Sequence, residues 1–229
     1  MLAEDQARLA VLIPSYNEAA TLPRVLDALL SLSLPLEIIV VDDGSTDGTD
    51  DVLRRYPQIA SLRHARNEGK GAAIRTALQQ ARSTVCVTQD ADLEYDPREI
   101  ATLLARFDVG DVDAVYGSRN LKQNPRFNEI YYWGGRLVTL ATQVLYGTRL
   151  TDEPTGYKLV RTSLIRDLHL EANGFDFCPE LTARLLRAGA RIAEVPISYH
   201  PRSREAGKKI TAWDGIRAIW VLIRWRFAR

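Results

Sequence analysis

Short apolar runs alternate with helical periodicity through the first half of the chain, and this alternation restricts the fold more than any other feature. Residues 9–13 form a continuous apolar run, and residues 37–41 (Glu-Ile-Ile-Val-Val) are largely β-branched. Both are typical of strands buried on both faces of a parallel sheet. Between them, apolar residues recur at helical spacing: Leu22, Val25, Leu26, Leu29 and Leu30. This stretch predicts a crossover helix, with Thr21 as its N-cap and Pro23 in its first turn.

The same alternation predicts the remaining elements. Helices are predicted over residues 69–82, 97–107, 127–146, 179–187 and 211–227, and strands over residues 84–88, 113–117, 157–160 and 191–199. The predicted fold class is therefore α/β. We expect one Rossmann-like domain over residues 1–210, with a mostly parallel central sheet flanked by helices, and a C-terminal amphipathic helix, residues 211–229, appended to it.

Composition and charge exclude several functional classes. The chain has 229 residues, two Cys, three His and a formal net charge of +1. We therefore expect neither a disulfide scaffold nor a zinc site, and no binding of nucleic acid. The acidic start and the absence of about 20 consecutive apolar residues predict a cytoplasmic protein without a signal sequence or a spanning helix. Residues 202–229 nevertheless contain eight basic and two acidic residues, which suits an anionic partner.

Polar residues follow each predicted strand, which is where open parallel sheets bind ligands. Residues 14–18 (Pro-Ser-Tyr-Asn-Glu) follow the first strand, Asp42 and Asp43 follow the second, and residues 90–94 follow the strand at 84–88. Carboxylates gathered in this way repel one another unless cations or hydrogen-bond donors lie between them. A ligand site is predicted here, although residues 42–45 (Asp-Asp-Gly-Ser) also have the composition of a simple turn.

Three acidic residues alternate along the segment after the strand at 84–88: Asp90, Asp92 and Glu94. Alternate side chains of an extended segment point to the same side. Asp92 and Glu94 are therefore expected to face one cation, and their oxygens suit Mg²⁺ or Mn²⁺. A solvated acidic loop is the simpler alternative.

Residues 69–71 (Gly-Lys-Gly) begin a predicted helix. Ile74 stands at the third small position of a dinucleotide fingerprint, and Gly207-Lys208 is followed by Lys209, so neither a Rossmann fingerprint nor a P-loop is present. The glycines still leave backbone N–H groups at a helix start, and Lys70 adds a charge. This turn is therefore expected to hold part of a diphosphate, the alternative being a turn that only starts the helix.

Four segments occur in a characteristic order: residues 13–18 (IPSYNE), 41–47 (VDDGSTD), 67–71 (NEGKG) and 89–97 (QDADLEYDP). Together they resemble the ordered motifs of family 2 glycosyltransferases with the GT-A fold. Residues 117–119 (GSR), 152–158 (DEPTGYK) and 194–199 (EVPISY) are similar to the dolichol- and polyprenyl-phosphate sugar transferase branch of that family. The resemblance covers nearly the whole chain.

The resemblance implies a metal-dependent, inverting transfer of a sugar from a nucleoside diphosphate donor, either GDP-mannose or a UDP-sugar. It assigns the nucleotide to Pro14, Tyr16, Glu18 and Asp43, with Asp90 beside it. The metal, Mg²⁺ or Mn²⁺, is assigned to Asp92 and Glu94; many members have Gln at the position of Glu94, so this site gains a charge. The basic segment 202–209 resembles the loop that closes over the donor diphosphate, with Arg202, Lys208 and Lys209 as the candidate contacts.

The acceptor determines which further residues the reaction needs. A hydroxyl acceptor needs a general base, whereas a phosphate monoester, with a second pKa of about 6, is already mostly ionised near neutrality and needs cations instead. Arg119 and Arg136 are the candidates, and by resemblance arginines in this region meet a lipid phosphate. The main hypothesis is therefore transfer of a sugar onto a polyprenyl or dolichyl phosphate at the cytoplasmic face of a membrane.

Two alternatives stay open from the sequence. The first is a metal-dependent family 2 transferase acting on a hydroxyl of a soluble or glycan acceptor, with Asp152, Glu153 or Glu180 as the base. The second is a nucleotide-sugar-binding module without catalysis.

The last predicted helix has an apolar stripe at helical spacing: Trp213, Ile216, Ile219, Trp220, Ile223 and Phe227. Arginines flank this stripe, as in helices that lie in a membrane interface. Peripheral contact with an anionic membrane is one interpretation, and packing of the same stripe against the sheet is the other.

Overall fold

The architecture is a seven-stranded sheet flanked by helices, seen in a computed structural model that describes residues 7–125, 129–202 and 211–228. The strand order across the sheet is β3-β2-β1-β4-β6-β5-β7. The strands are β1 (Leu9–Ser15), β2 (Leu36–Asp42), β3 (Ala60–Arg63), β4 (Val85–Thr88), β5 (Ala114–Ser118), β6 (Lys158–Arg161) and β7 (Ile192–Pro196). The predicted α/β class with a mostly parallel central sheet is confirmed.

Eight α-helices connect or follow the strands in the described part of the chain. They are α1 (Leu22–Leu30), α2 (Thr49–Leu53), α3 (Lys70–Gln80), α4 (Ile100–Asp108), α5 (Glu129–Tyr146), α6 (Thr162–Asp167), α7 (Phe177–Arg187) and α8 (Ala212–Phe227). A 3₁₀ turn, Pro97–Glu99, leads into α4, and the side chain of Asp96 caps it by accepting from the N–H of Arg98. None of the helices formed by the described residues is both long and apolar enough to cross a lipid bilayer.

Strand β6 alone runs against its neighbours in this sheet, pairing antiparallel with both β4 and β5. The other described strand pairs are parallel. The first residue of β6, Lys158, therefore lies at the edge where the parallel strands end, opposite Tyr116 of β5. This reversal brings the loop before β6, residues 151–157, to the carboxyl edge of the sheet.

The continuous apolar run of β1 is explained by burial on both faces of the sheet. Leu9, Val11 and Ile13 pack into the core layer that also contains α1 and α4. Ala10 and Leu12 pack into the opposite layer, against α3 and α7. Because successive side chains of a strand point to opposite faces, a strand between two helical layers must be apolar at every position.

The first crossover helix follows its prediction in position but not in capping. Thr21 is the N-cap residue of α1, and Pro23 lies in the first turn. The Thr21 hydroxyl does not cap the helix, however; it donates to a carboxylate oxygen of Glu18 at 2.7 Å. This side chain therefore orients Glu18 at the edge of the sheet.

Three short elements were not predicted from sequence: α2, β3 and α6. Strand β3 is an edge strand whose residues are mostly exposed, so it lacks the apolar alternation that marks a half-buried strand. Helices α2 and α6 have five and six residues, which is too short for a helical repeat. The strand predicted to continue to residue 199 ends at Pro196.

Candidate active site at the carboxyl edge of the sheet

A cavity of about 1210 Å³ opens at the carboxyl edge of the sheet. Twelve of the site residues predicted from sequence line it: Pro14, Tyr16, Glu18, Asp43, Lys70, Asp90, Asp92, Glu94, Arg119, Arg136, Asp152 and Arg202. The alternative bases Glu153 and Glu180 are described but are not among its lining residues. Lys208 and Lys209 lie outside the described residues. Residues far apart in sequence thus share one cavity, because parallel strands deliver their C-terminal loops to the same edge.

Asp43 is held by the protein itself at the floor of this cavity. Its carboxylate accepts from the N–H groups of Glu68 (2.9 Å) and Gly69 (2.8 Å) and contacts His64 Nδ1 at 2.7 Å. His64 Nε2 in turn contacts the hydroxyl of Thr76 at 2.9 Å. Asp43 therefore fixes the turn that leads into α3, and His64, which the sequence analysis did not single out, links that turn to the helix.

We expect Asp43→Ala to destabilise the fold by about 1–3 kcal/mol, because it leaves two N–H groups at the cavity floor without an acceptor. Asp43 is only 3% exposed, so water cannot replace its carboxylate freely. Urea denaturation measures the loss, and Asp51→Ala, on the exposed side of α2, is the control. An unchanged midpoint with weakened donor binding would instead assign Asp43 to the ligand alone.

Lys70 and Asp90 form an ion pair across the ends of two elements, with Nζ 2.5 Å from Oδ1. Burial alone would lower the pKa of Lys70, but the charge of Asp90 offsets this effect and the pKa is raised. A side chain at Gly156 would place its Cβ 2.7 Å from Asp90 Oδ2. The glycine before β6 therefore makes room for this pair, and Lys70 supplies the cation that the clustered carboxylates require.

The glycines beside Lys70 allow a close approach that was not predicted. A Cβ at Gly69 or Gly71 would lie within 2.4 Å of a carbonyl oxygen in the loop at residues 172–173. The carbonyl of Asn173 also accepts from the N–H of Ala72 at 3.1 Å. The loop thus lies against one side of the start of α3, while Gly69 and Lys70 still line the cavity. The expected role of this turn in holding part of a diphosphate stays a prediction.

Gly71→Ala is expected to destabilise the fold by about 1–3 kcal/mol, because the added methyl group meets the Ala172 carbonyl oxygen at 2.3 Å and backbone must shift. Gly215→Ala is the matched control, since Gly215 lies in α8 with no atom within 4 Å of an added Cβ. That change should stabilise by about 0.5–1 kcal/mol through helix propensity. Equal midpoints in urea for both variants would contradict the close approach at Gly71.

The acidic segment, residues 90–94, forms a turn and is not extended as predicted. Leu93, between Asp92 and Glu94, has a φ of 62°, in the left-handed region that leucine rarely adopts. Asp92 Oδ1 accepts from the N–H of Glu94 at 3.0 Å, which closes the turn. The two carboxylates therefore come together through a strained residue, and strain of this kind often occurs at functional sites.

Arg202 lies beside the carboxylates of Glu18, Asp90, Asp92 and Glu94, which we call the acidic cluster. Its guanidinium donates to both oxygens of Glu18, at 3.1 and 3.2 Å, and to Asp92 Oδ2 at 3.1 Å. Glu94 accepts from the Arg202 N–H and from the Tyr199 hydroxyl, each at 2.8 Å. The chain after β7 therefore folds back across the cavity and supplies a cation to the carboxylates.

No group of three or more acidic, His or Cys side chains is arranged to hold a metal ion within residues 7–125, 129–202 and 211–228. Asp90, Asp92 and Glu94 are each engaged by other partners: Lys70, Arg202 and Tyr199. The acidic cluster nevertheless carries an excess of negative charge. Burial, then the charges of Asp90 and Glu94, raise the pKa of Asp92 to about 7.

This raised pKa predicts a stability change with pH in buffer that contains a chelator. Between the ordinary pKa of Asp, 3.8, and about 7, folded Asp92 retains a proton that the unfolded chain has lost, so its contribution to the unfolding free energy falls as pH rises. Asp92→Asn removes this effect. We expect the variant to gain stability relative to the unchanged protein between about pH 4 and about pH 7, measured by urea denaturation. If the difference in unfolding free energy between the variant and the unchanged protein stays constant across that range, the raised pKa of Asp92 is contradicted.

Arg119 and Asp152 form a second buried ion pair at the far side of the cavity. Two guanidinium nitrogens of Arg119 lie 2.7 Å from the two Asp152 oxygens, and the Arg119 N–H donates to the same carboxylate at 2.8 Å. Burial alone would lower the pKa of Arg119, but Asp152 raises it well above its usual value. The guanidinium also lies 5.1 Å from the centre of the Tyr199 ring.

Arg136 differs from Arg119 because its side chain is exposed at the cavity. Within the part of the chain that the structure describes, its side chain makes one hydrogen bond, to the carbonyl of Thr151 at 3.3 Å. A guanidinium with one long hydrogen bond keeps most of its N–H donors directed toward solvent. The far side of the cavity therefore has one arginine fixed by a carboxylate, Arg119, and one that can turn toward an anion, Arg136.

The carboxylates considered as bases for a hydroxyl acceptor are all engaged by cations. Asp152 pairs with Arg119, and Glu153, fully buried, lies 3.5 Å from the ammonium of Lys158. Glu180 accepts from backbone N–H groups of residues 171 and 172 and lies 3.0 Å from Arg184. These pairs stabilise the loop before β6 and the start of α7.

Comparison with known proteins agrees with this geometry. An undecaprenyl-phosphate mannosyltransferase of Micrococcus luteus is 31% identical over 96% of this chain and 98% of its own length. A polyprenol monophosphomannose synthase of Mycolicibacterium smegmatis is 30% identical over 92% of this chain and 88% of its own. The structure of glucosyl-3-phosphoglycerate synthase from Mycobacterium tuberculosis has a TM-score of 0.74 at 20% identity, over 96% of this chain and 80% of that one, and shows a shared GT-A fold.

The family match spans the elements that build the cavity. The sequence model described as glycosyl transferase family 2 matches residues 10–168, which run from β1 through α6. These residues include the Asp43 turn, the acidic segment at 90–94 and the Arg119–Asp152 pair. Since the match covers more than half of the chain and all of these loops, the chain belongs to glycosyl transferase family 2 and is a glycosyltransferase.

Proposed function

We propose that this glycosyltransferase moves a sugar from a nucleoside diphosphate sugar onto a polyprenyl phosphate at the cytoplasmic face of a membrane, with inversion at the anomeric carbon. One observation carries the choice of acceptor. The far side of the cavity presents Arg119 and the exposed Arg136, whereas Asp152, Glu153 and Glu180 are all paired with cations. A site with cations and no uncommitted base among these residues suits a phosphate that is already ionised.

The relatives support the same choice. Those of Micrococcus luteus and Mycolicibacterium smegmatis are named for undecaprenyl phosphate and for polyprenol monophosphomannose. A third, from Rhizobium johnstonii, is named a dodecaprenyl-phosphate galacturonate synthase and is 29% identical over 87% of this chain and 61% of its own length. Because all three names contain a polyprenyl lipid, while two are named for mannose and one for galacturonate, we propose the polyprenyl phosphate acceptor for this chain and leave the donor as GDP-mannose or a UDP-sugar.

The donor is assigned to the end of the cavity formed by β1, β2 and α3. Pro14 lies near the end of β1 and Tyr16 directly follows it, and the Asp43 turn forms the floor. The sugar would then lie between this end and Arg119. Arg136 would bind the acceptor phosphate, whose oxygen forms the bond to the anomeric carbon as the bond from that carbon to the diphosphate oxygen breaks on the opposite side.

The acidic cluster fits a divalent cation by its chemistry. Asp92 and Glu94 offer hard oxygen ligands. Burial, followed by the charges of Asp90 and Glu94, raises the pKa of Asp92 to about 7, so a cation placed beside it would stabilise its ionised form. We propose that these two residues hold Mg²⁺ or Mn²⁺, which would neutralise charge that develops on the leaving diphosphate. Binding requires Asp92 to exchange its contact with Arg202, and Arg202, Lys208 and Lys209 are then proposed to meet the diphosphate.

Product extraction tests the proposed function. The protein is incubated with radiolabelled GDP-mannose or UDP-sugars, a divalent cation and a short-chain polyprenyl phosphate in detergent. We expect label in the organic phase that depends on the lipid phosphate and is released by mild acid. Label that appears only in water-soluble glycosides, or equal transfer to the unphosphorylated polyprenol, would overturn the phosphate acceptor.

A further inference from the structure

Two neighbouring helices carry most of the exposed apolar surface. Of the thirteen large apolar side chains that are exposed among the described residues, ten lie on α5 and α8. We name this set the α5/α8 face: Ile130, Trp133, Leu137, Leu140, Val144, Trp213, Ile216, Trp220, Ile223 and Phe227. Contiguous apolar surface of this kind marks an interaction site on a soluble domain.

The spacing is the same on both helices. Each contributes five side chains separated by three, four, three and four residues, which places them along one side of a helix. Each stripe extends over fifteen residues, and its fourteen steps of 1.5 Å give a length of about 21 Å. A single row of this kind could belong to a helix packed on a core, but here the rows are exposed.

The opposite sides of the same helices are buried against the protein. Val138 of α5 packs with Ala218 and Leu222 of α8 and with α7. The Tyr146 hydroxyl donates to the carbonyl of Leu222 at 2.7 Å, and Arg226 donates to the carbonyl of Leu145 at 2.7 Å. The α8 residues in contact with α5 move from Ala218 to Arg226 as the α5 residues move from Val138 to Tyr146. The two helices therefore run parallel, and we infer that their two outer rows lie side by side.

The composition of the α5/α8 face is that of a membrane interface. It contains three of the four tryptophans of the chain, which are between 58% and 76% exposed, and tryptophan is enriched at membrane–water interfaces. The two helices carry four arginines, Arg136, Arg217, Arg224 and Arg226, against two acidic residues, Glu129 and Asp214. Aromatic and aliphatic rows flanked by arginines bind the boundary between headgroups and acyl chains of anionic lipid.

We propose that the α5/α8 face, both helices together, docks on the surface of an anionic lipid bilayer. A second copy of this chain fits less well, because like-charged arginines would be brought together at the contact. The cavity also opens between the first halves of the two helices, where Tyr131, Gly134 and Gly215 line it. Docking there places the cavity opening at the headgroup level, which is where a lipid acceptor would enter; this last point rests on the proposed function.

Vesicle flotation tests the docking without donor or acceptor. The full chain is mixed with vesicles of phosphatidylcholine alone, or of phosphatidylcholine with phosphatidylglycerol, at low and high salt. We expect flotation with the anionic vesicles that falls at least tenfold at high salt. Leu137→Glu on α5 and Trp220→Glu on α8 should each lower the bound fraction at least tenfold.

Val109→Glu is the matched control, because Val109 is 69% exposed but follows α4, and it should float like the unchanged protein. Circular dichroism verifies that each variant is folded. If Trp220→Glu lowers flotation with anionic vesicles but Leu137→Glu does not, docking through both helices is overturned. Absence of flotation, or a dimer in solution that Leu137→Glu dissociates, would overturn the bilayer as the occupant. Transfer to short-chain acceptor in detergent is measured separately, so docking and proposed function can fail independently.

Discussion

Asp92→Asn is expected to lower kcat/KM for sugar transfer by about a thousandfold while leaving the fold intact. The carboxylate of Asp92 lies at the centre of the acidic cluster, 3.1 Å from Arg202 and bonded to the N–H of Glu94. The amide keeps the shape and one acceptor oxygen, but it removes the charge that a divalent cation requires. Stability should not fall, because burial and the neighbouring carboxylates disfavour the ionised form of Asp92 in the folded state.

Steady-state kinetics with saturating Mn²⁺ measure this effect. Asp111→Asn is the control, since Asp111 pairs with Arg106 on the surface away from the cavity, and its activity should remain within twofold of that of the unchanged protein. Chelation of divalent cations should reproduce the loss. If Asp92→Asn retains more than a tenth of the activity, the assignment of the cation to Asp92 and Glu94 is wrong.

The location of the cavity could be predicted from the sequence because it depends on the direction in which the parallel strands run. Apolar runs identify the parallel strands, and the residues after them must gather at one edge. Asp43, Asp90 and Arg119, on three different strand ends, were singled out on this basis and line one cavity. Their partners could not be predicted, because pairing depends on which loops cross in space. His64 and Tyr199 carry no local signal for their contacts with Asp43 and Glu94.

Conformation within loops was the part that sequence reasoning described least well. The acidic segment was expected to be extended, but Leu93 adopts a left-handed conformation that its side chain disfavours. Gly69 and Gly71 also allow the loop at residues 172–173 to approach α3, a contact that the sequence did not predict. In both cases a distant contact determines the backbone, and a local pattern contains no information about that contact.

The exposed helices illustrate a further limit. An apolar row at helical spacing has the same pattern whether it faces a core or a membrane. In α8, Trp213 and Trp220 of the predicted stripe are exposed, whereas Ala218 and Leu222 on the other side are buried. The small and aliphatic residues of the buried side became identifiable only through their contacts with α5 and α7.

The largest expected loss of stability comes from breaking the pair between Arg119 and Asp152. Asp152→Ala leaves a guanidinium that is only 23% exposed without its carboxylate, which should cost about 3–5 kcal/mol in the free energy of unfolding. The backbone N–H of Arg119 also loses its acceptor. Urea denaturation measures the loss, and transfer activity should fall with it because Arg119 can no longer be held at the cavity wall.

A double variant separates the structural role of this pair from its role in transfer. Arg119→Met with Asp152→Leu removes both charges and should recover most of the stability lost in Asp152→Ala, because a buried ion pair can be replaced by apolar side chains at little cost. Activity should not recover, since no cation then faces the acceptor phosphate beside Arg136. A stable Asp152→Ala that loses only the acid limb of its pH–rate profile would mean that Asp152 acts as a base on a hydroxyl, and the phosphate acceptor would have to be abandoned.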